Sequence, residues 1–194
     1  NTYLVFVYNQ LLDDPNPPAD RDELCEFIRT ITTSRQWHGT RSMVDLCELV
    51  KKYYYDPATH GSNSIKKVLP AILNSSSHLQ GKYSKPVYGT ESRIKSLNFT
   101  DWTWVRFNED GTVKDPYDLL PPVFDKATDA SIELISDDGE LKEGGAAMIA
   151  YCRMQFSEMS DLERDRLKAA LLKYCELDTF AMVMIYEAWR EMLK

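Results

Sequence analysis

The residues best placed to do chemistry lie near the C-terminus, in the run Leu171-Leu172-Lys173-Tyr174-Cys175-Glu176-Leu177-Asp178-Thr179. On a helix, Tyr174 and Asp178 stand one turn apart on the same face. That face is otherwise apolar, so the spacing aims the Asp178 carboxylate inward. A buried carboxylate is costly unless it is paired, protonated or coordinating a cation. Two readings follow from spacing alone: Asp178 caps the final helix, with Thr179 after it, or it is a metal ligand.

Other candidates are scattered. Asp45, in Met43-Val44-Asp45-Leu46, ends an expected short strand, the edge where ligand sites gather in α/β folds. The bland alternative is a hydrogen bond from Asp45 to a neighbouring loop. Ser64, Lys66 and Lys67 open an expected helix, whose N–H groups and dipole favour phosphate, although a solvated helix edge reads equally well. His38, His60 and His78 lie far apart on polar stretches and read as surface residues. Trp102, Trp104 and Tyr117 are able to stack bases or to form a small satellite core. No Gly-rich phosphate loop, nucleophile elbow or zinc pattern is present.

These residues must be carried by elements that the apolar periodicity outlines. Leu4, Val7, Tyr8, Leu11 and Leu12 suit a first helix, although Val5-Phe6-Val7 would also suit a strand. Asp13-Asp14-Pro15-Asn16-Pro17-Pro18 breaks the chain, and Asp20 caps a second helix with Leu24, Phe27, Ile28 and Ile31 as its inner face. A helix bearing Leu49, Val50 and Tyr53 follows the Met43–Leu46 strand. Ile65, Val68, Leu69 and Ile72 form the stripe of a further helix, which must accommodate Pro70. Residues 74–143 are rich in Ser, Asn, Asp, Gly and Pro and read as an insertion, with a hairpin over Trp102–Val113 turning at Asp110-Gly111. Gly144-Gly145 opens a helix with Met148, Ile149, Cys152 and Phe156 on one face. Ser160-Asp161-Leu162-Glu163 is a capping box, and apolar stripes then run to the end of the chain.

The bulk numbers restrict the function classes. A net charge of −7 argues against a broad basic face that wraps duplex nucleic acid, so such a contact would be local or cation-mediated. The four cysteines, Cys25, Cys47, Cys152 and Cys175, form no CxxC pair and have apolar neighbours, as expected of reduced core thiols in a cytoplasmic protein. No apolar run approaches the roughly 20 residues that span a bilayer, so no membrane partner is expected. The chain begins with Asn1, which suggests a piece of a longer protein.

The Tyr174-x-x-x-Asp178 pair resembles the third motif of the DEDDy branch of DnaQ-like, RNase-H-like 3′–5′ exonucleases. The ordered strings GSNSIKKVLPAIL (61–73), GGAAMIAYCRM (144–154) and LLKYCELDTFAMV (171–183) resemble a bacterial domain family of unknown function related to that superfamily. The resemblance implies a helix-rich α/β fold with its opening strands missing, residues 1–73 and 144–194 forming the core. It implies that Asp178 binds Mg²⁺ or Mn²⁺ and that Tyr174 orients the attacking water. The substrate would be a single-stranded nucleic-acid end, clamped by two metal ions. The first acidic motif, Asp-x-Glu on a strand, is absent. Asp161-Leu162-Glu163 is explained by the capping box, and Asn9-x-x-x-Asp13 sits at the wrong end of its element. The chain alone is therefore expected to be inactive. A non-catalytic scaffold or binding domain that keeps the fold is the alternative.

Overall fold

The computed structural model describes residues 1–120 and 147–194 in full and 141–146 as helical backbone. It is helix-rich, and among the described residues strand pairing is confined to isolated bridges. The chain divides into two compact units, Asn1–Lys52 and Tyr53–Lys194. The boundary falls inside the 1–73 segment expected to belong to one core.

In the first unit, α1 (Thr2–Asp13) packs on α2 (Arg21–Ile31). The strand alternative at Val5-Phe6-Val7 gives way to helix, as the Leu4, Val7, Leu11 spacing demands. The inner face of α2 differs from expectation. Cys25 and Ile28 are buried, whereas Leu24 and Phe27 are 36% and 56% exposed, because a single partner helix covers only one narrow stripe. Beyond α2 the chain doubles back across the helix end. Gly39, Arg41 and Met43 donate their N–H groups to the carbonyls of Thr32, Thr30 and Ile31. A Cβ on Gly39 would lie 2.3 Å from the Thr30 oxygen, so only glycine fits this crossing. Asn1 clasps Thr33 by donating to its carbonyl (2.7 Å) and accepting from its N–H (2.8 Å).

No strand forms at 43–46. Asp45 instead accepts from the N–H groups of Cys47 (2.9 Å) and Glu48 (3.2 Å), capping α3 (Leu46–Tyr53). Its chemistry is local, with no ligand role at a sheet edge.

The second unit is built around α4 (Ile65–Ser75), whose Val68, Leu69, Ile72 and Leu73 are all fully buried. Pro70 stays within the helix. Asn74 donates from its side chain to the Pro70 carbonyl (2.9 Å) and accepts from the Val113 N–H (2.8 Å). Asn74 therefore belongs to α4, and α5 (Ser77–Tyr83) follows at once, so the expected insertion begins with ordered helix. Ser76 caps α5 through the Leu79 N–H. The 121–140 part of that insertion lies outside the described residues.

Residues 84–120 fold onto the helices with little regular structure of their own. Tyr88 and Trp102 exchange N–H to carbonyl bonds and close one loop. Gly89 sits inside it at φ 73°, where a Cβ would come within 2.2 Å of the Phe99 oxygen. The expected hairpin is present as one bridge, Phe107 to Val113, turning through Gly111 at φ 82°.

α6 (Leu141–Phe156) begins upstream of Gly144-Gly145, so the glycine pair lies within the helix and does not open it. Its expected inner stripe is outward: Met148 and Phe156 are 70% and 87% exposed, and Ala150 is the fully buried residue. A small side chain there lets α6 approach its neighbour α7 closely, which a stripe of Met and Phe would prevent.

α7 (Asp161–Met192) is one unbroken helix that starts at the expected Ser160–Glu163 capping box. No Gly or Pro interrupts it. Asp178 is consequently mid-helix, and its reading as an N-cap is overturned: a cap needs non-helical backbone, which nothing in this run provides.

Candidate functional site

Three partly exposed carboxylates on the flanks of α7, Glu176, Asp178 and Glu187, each meet a tyrosine from the 83–117 segment. Tyr83 donates its hydroxyl to Glu187 (2.8 Å), Tyr88 to Glu176 (2.7 Å) and Tyr117 to Asp178 (2.7 Å). Distant stretches of chain are thereby fastened to one helix by short charge-assisted bonds.

The expected catalytic pair lies at one of these fastenings. Asp115 accepts from the Tyr117 N–H (3.0 Å) and starts the 3₁₀ turn Pro116–Leu119. Pro116 is fully buried beneath it, which fixes where Tyr117 emerges. The rings of Tyr117 and Tyr174 then lie 6.1 Å apart. The Lys66 ammonium stands 5.1 Å from the Tyr117 ring centre and 4.8 Å from that of Tyr174. Lys66, Tyr117, Tyr174 and Asp178 thus converge from α4, the 3₁₀ turn and α7. Burial, followed by the bond to Asp178, raises the Tyr117 hydroxyl far above its ordinary value, so it is a fixed donor at neutral pH.

Of the other expected binding residues, Ser64 holds the N-cap position of α4 without a side-chain cap bond, and both it and Lys67 are exposed. Only Lys66 of the three joins the Tyr174–Asp178 cluster. Asp45 is absorbed by its cap in α3.

A divalent cation needs several oxygen ligands, of which one or two are usually carboxylates. Among the described residues, Asp178 is the carboxylate bonded in this cluster and already accepts from a phenol; Asp115 acts on Tyr117 by its charge, and a lysine ammonium lies against the same two rings. Among the described residues no group of three His, Cys, Asp or Glu side chains converges as a metal site. The described residues at Asp178 do not by themselves supply the oxygen ligands that Mg²⁺ or Mn²⁺ takes.

Glu176, two residues before Asp178, has the richer set of donors. Besides Tyr88 it accepts from Asn98 (2.6 Å) and from the Ser96 hydroxyl. Burial acts to raise its carboxyl, but the Ser96, Tyr88 and Asn98 donors prevail and hold it below the ordinary range. Glu187 also receives the Lys82 ammonium at 2.8 Å. Sequence spacing does not single out Glu176, Glu187, Tyr83 or Tyr88, since the two tyrosines lie 88 and 104 positions from their acids.

Of the aromatic residues expected to stack bases or form a satellite core, Trp102 and Tyr117 are partly exposed and Trp104 is packed inside. Trp104 is fully buried, and the rings of Tyr88, Phe99, Trp104 and Phe180 meet at centroid distances of 4.5 to 6.2 Å. This is core packing against α7.

The histidines are exposed, as expected, although His78 is on α5 and not on a loop. Cys25 is buried, but Cys47, Cys152 and Cys175 are exposed. The expectation of four core thiols holds only for Cys25, because the other three stand on helix faces left exposed among the described residues. No described helix is long and apolar enough to cross a membrane.

No family model, curated protein or solved structure matches this chain.

Proposed function

We propose that this chain is a non-catalytic binding module, in which Tyr174 and Asp178 serve the fold. The observation that carries the reading is the use of Asp178, Glu176 and Glu187 as acceptors for Tyr117, Tyr88 and Tyr83. These three acids of α7 are committed to joining segments of chain. Large apolar side chains stand exposed on both units, among them Tyr3, Phe6 and Phe27 in the first and Met148, Phe156 and Tyr186 in the second. Surfaces of this kind favour protein partners.

A second reading keeps the resemblance to DEDDy exonucleases, with an RNase-H-like fold and a cytoplasmic nuclease role acting through Mg²⁺ or Mn²⁺. The gathering of Lys66, Tyr174 and Asp178 at one place favours it. In that case the remaining acids must come from outside the residues described.

Metal binding separates the two, because the chain alone is expected to cut nothing under either reading. Thermal unfolding is followed in Mn²⁺, Mg²⁺ or EDTA, with Asp178→Asn alongside. The binding-module reading expects the same metal response from both proteins. Stabilisation by Mn²⁺ or Mg²⁺ that vanishes in Asp178→Asn would replace it with the exonuclease reading.

A further inference from the structure

Where the chain doubles back over the end of α2 it leaves a cleft of about 200 Å³ within the first unit. Glu26, Arg29 and Thr30 of α2 form one wall, and Trp37, His38 and Gly39 of the returning loop form the other. The loop wall is fixed from behind. Trp37 stacks on Tyr8 at 4.9 Å and donates its indole N–H to the Thr32 hydroxyl (3.1 Å), while Gly39 donates its N–H to the Thr32 carbonyl (2.9 Å). His38 Nδ1 lies 3.1 Å from the Gly39 carbonyl, a contact that a protonated nitrogen makes favourably, so in the neutral ring Nε2 is left as an acceptor. Glu26 and Arg29 are neighbours on the helix surface, yet they do not pair. Among the described residues the Glu26 carboxylate, the Arg29 guanidinium and His38 Nε2 have no hydrogen-bond or ion-pair partner.

We infer that this cleft binds a free α-amino acid with an aliphatic side chain. The inference goes beyond the protein-docking reading and does not depend on it. The lining carries both signs of charge. A lone anion there would meet Glu26, and a lone cation would meet Arg29, so each is partly repelled. An α-amino acid carries both charges on one carbon and suits both groups. Its carboxylate takes Arg29, and its ammonium takes Glu26 and the Nε2 lone pair of His38. The partly exposed Trp37 ring offers apolar cover to the side chain. Volume limits the size of the occupant. About 200 Å³ falls below the roughly 300–1,000 Å³ of sites for drug-sized ligands, so a nucleotide or a folded peptide outruns the cleft. The loop wall is already held by Tyr8 and Thr32, so binding orders little new chain. Because Glu26 and Arg29 are exposed, each ion pair adds little, and the dissociation constant expected is on the order of 1 mM.

The test is a titration of the isotope-labelled whole chain with L-leucine, from about 0.1 to about 20 mM, read by nuclear magnetic resonance of amide and indole N–H groups. The expected result is saturable movement of the Trp37 indole and Gly39 amide signals, with those of Tyr53–Lys194 unchanged. Two analogues of leucine probe the two charges. Isocaproate lacks the ammonium and isoamylamine lacks the carboxylate, and each should bind about fivefold more weakly. Glu26→Gln and Arg29→Gln should each weaken leucine by a similar factor. Glu23→Gln, on α2 but outside the cleft, should leave it unchanged. All three side chains are exposed, so the fold tolerates the changes, and an unchanged far-UV circular dichroism spectrum checks it. The absence of saturable movement at the highest leucine concentration would overturn the proposal. So would analogues that bind as tightly as leucine, or Glu26→Gln and Arg29→Gln proteins that keep the original affinity.

Discussion

The two units solve the problem of holding a chain together by different means. Asn1–Lys52 buries only Cys25, Ile28, Thr32 and Val50, and it leaves Tyr3, Phe6 and Phe27 more than half exposed. Its long-range order comes from polar clasps: the Asn1 amide on Thr33, and Trp37, which donates to the buried Thr32 hydroxyl (3.1 Å) and stacks on Tyr8 at 4.9 Å. Tyr53–Lys194 has fully buried Leu69, Tyr83, Trp104, Leu177 and Met184, and three tyrosine–carboxylate bonds set around that core. A small unit buries a smaller fraction of its surface and depends more on specific polar bonds. A larger one allows irregular chain, such as 84–120, to be ordered by a preformed helix. Irregular segments need acceptors as well as apolar cover, since their backbone satisfies few of its own polar groups.

The contrast is tested most strongly at Phe180, whose ring touches Tyr83, Tyr88 and Trp104. Phe180→Ala should lower the stability of the second unit by about 3–5 kcal/mol. Urea unfolding followed by tryptophan fluorescence would show it, since Trp102, Trp104 and Trp189 report there and Trp37 alone reports on the first unit. A loss under about 1 kcal/mol would mean that α7 and the aromatic segment are not one core.

Next in size is Glu176→Ala, which strands the Tyr88, Ser96 and Asn98 donors and should cost about 2–3 kcal/mol. The same carboxylate sets an acid limit. Its folded-state value is lowered below 4.5, so its contribution is complete above 4.5 and is lost as pH falls through the folded value. An alkaline limit mirrors it. Burial, then the charge and hydrogen bond of Asp56, push Tyr54 from 10.0 up to about 12. Burial and their carboxylate partners raise Tyr83, Tyr88 and Tyr117 further. Groups raised in the folded state stabilise it fully below 10 and lose that contribution as pH rises through the folded values. Stability measured by urea should therefore fall steadily above pH 10, and less steeply in Tyr88→Phe. An equal slope in that variant would remove Tyr88 from the account.

A smaller effect is expected in the first unit. Trp37→Phe keeps the ring contact with Tyr8 but loses the bond to Thr32, and should cost about 1 kcal/mol. Hydrogen exchange would show faster amides in α1 and α2 with those of α4 unchanged. Equal acceleration in α4 would mean that the two units unfold together.

Helices were largely legible from sequence, because α4 and the start of α7 carry strong periodicity and, in Ser160–Glu163, a complete cap. The faces were less so. Met148, Cys152 and Phe156 form an apolar stripe that reads as core, but periodicity says only that a face is apolar, not that this chain covers it. Lys66, Tyr174 and Asp178 stand out in two local patterns, and they do lie together. Tyr117 completes their cluster, although its sequence context points only to base stacking or a satellite core, since a bond across 61 positions leaves no local signature. The capping of α3 by Asp45 was masked by Met43-Val44, whose side chains favour strands without obliging one.

The central claim is that Asp178 is an acceptor for Tyr117 and not a metal ligand. A double-mutant cycle of Tyr117→Phe and Asp178→Asn, with urea stability measured in EDTA and in Mn²⁺, tests it most directly. The account predicts a coupling of about 1 kcal/mol between the two residues, the same in both solutions. Additive single effects, together with Mn²⁺ stabilisation that Asp178→Asn abolishes, would contradict it.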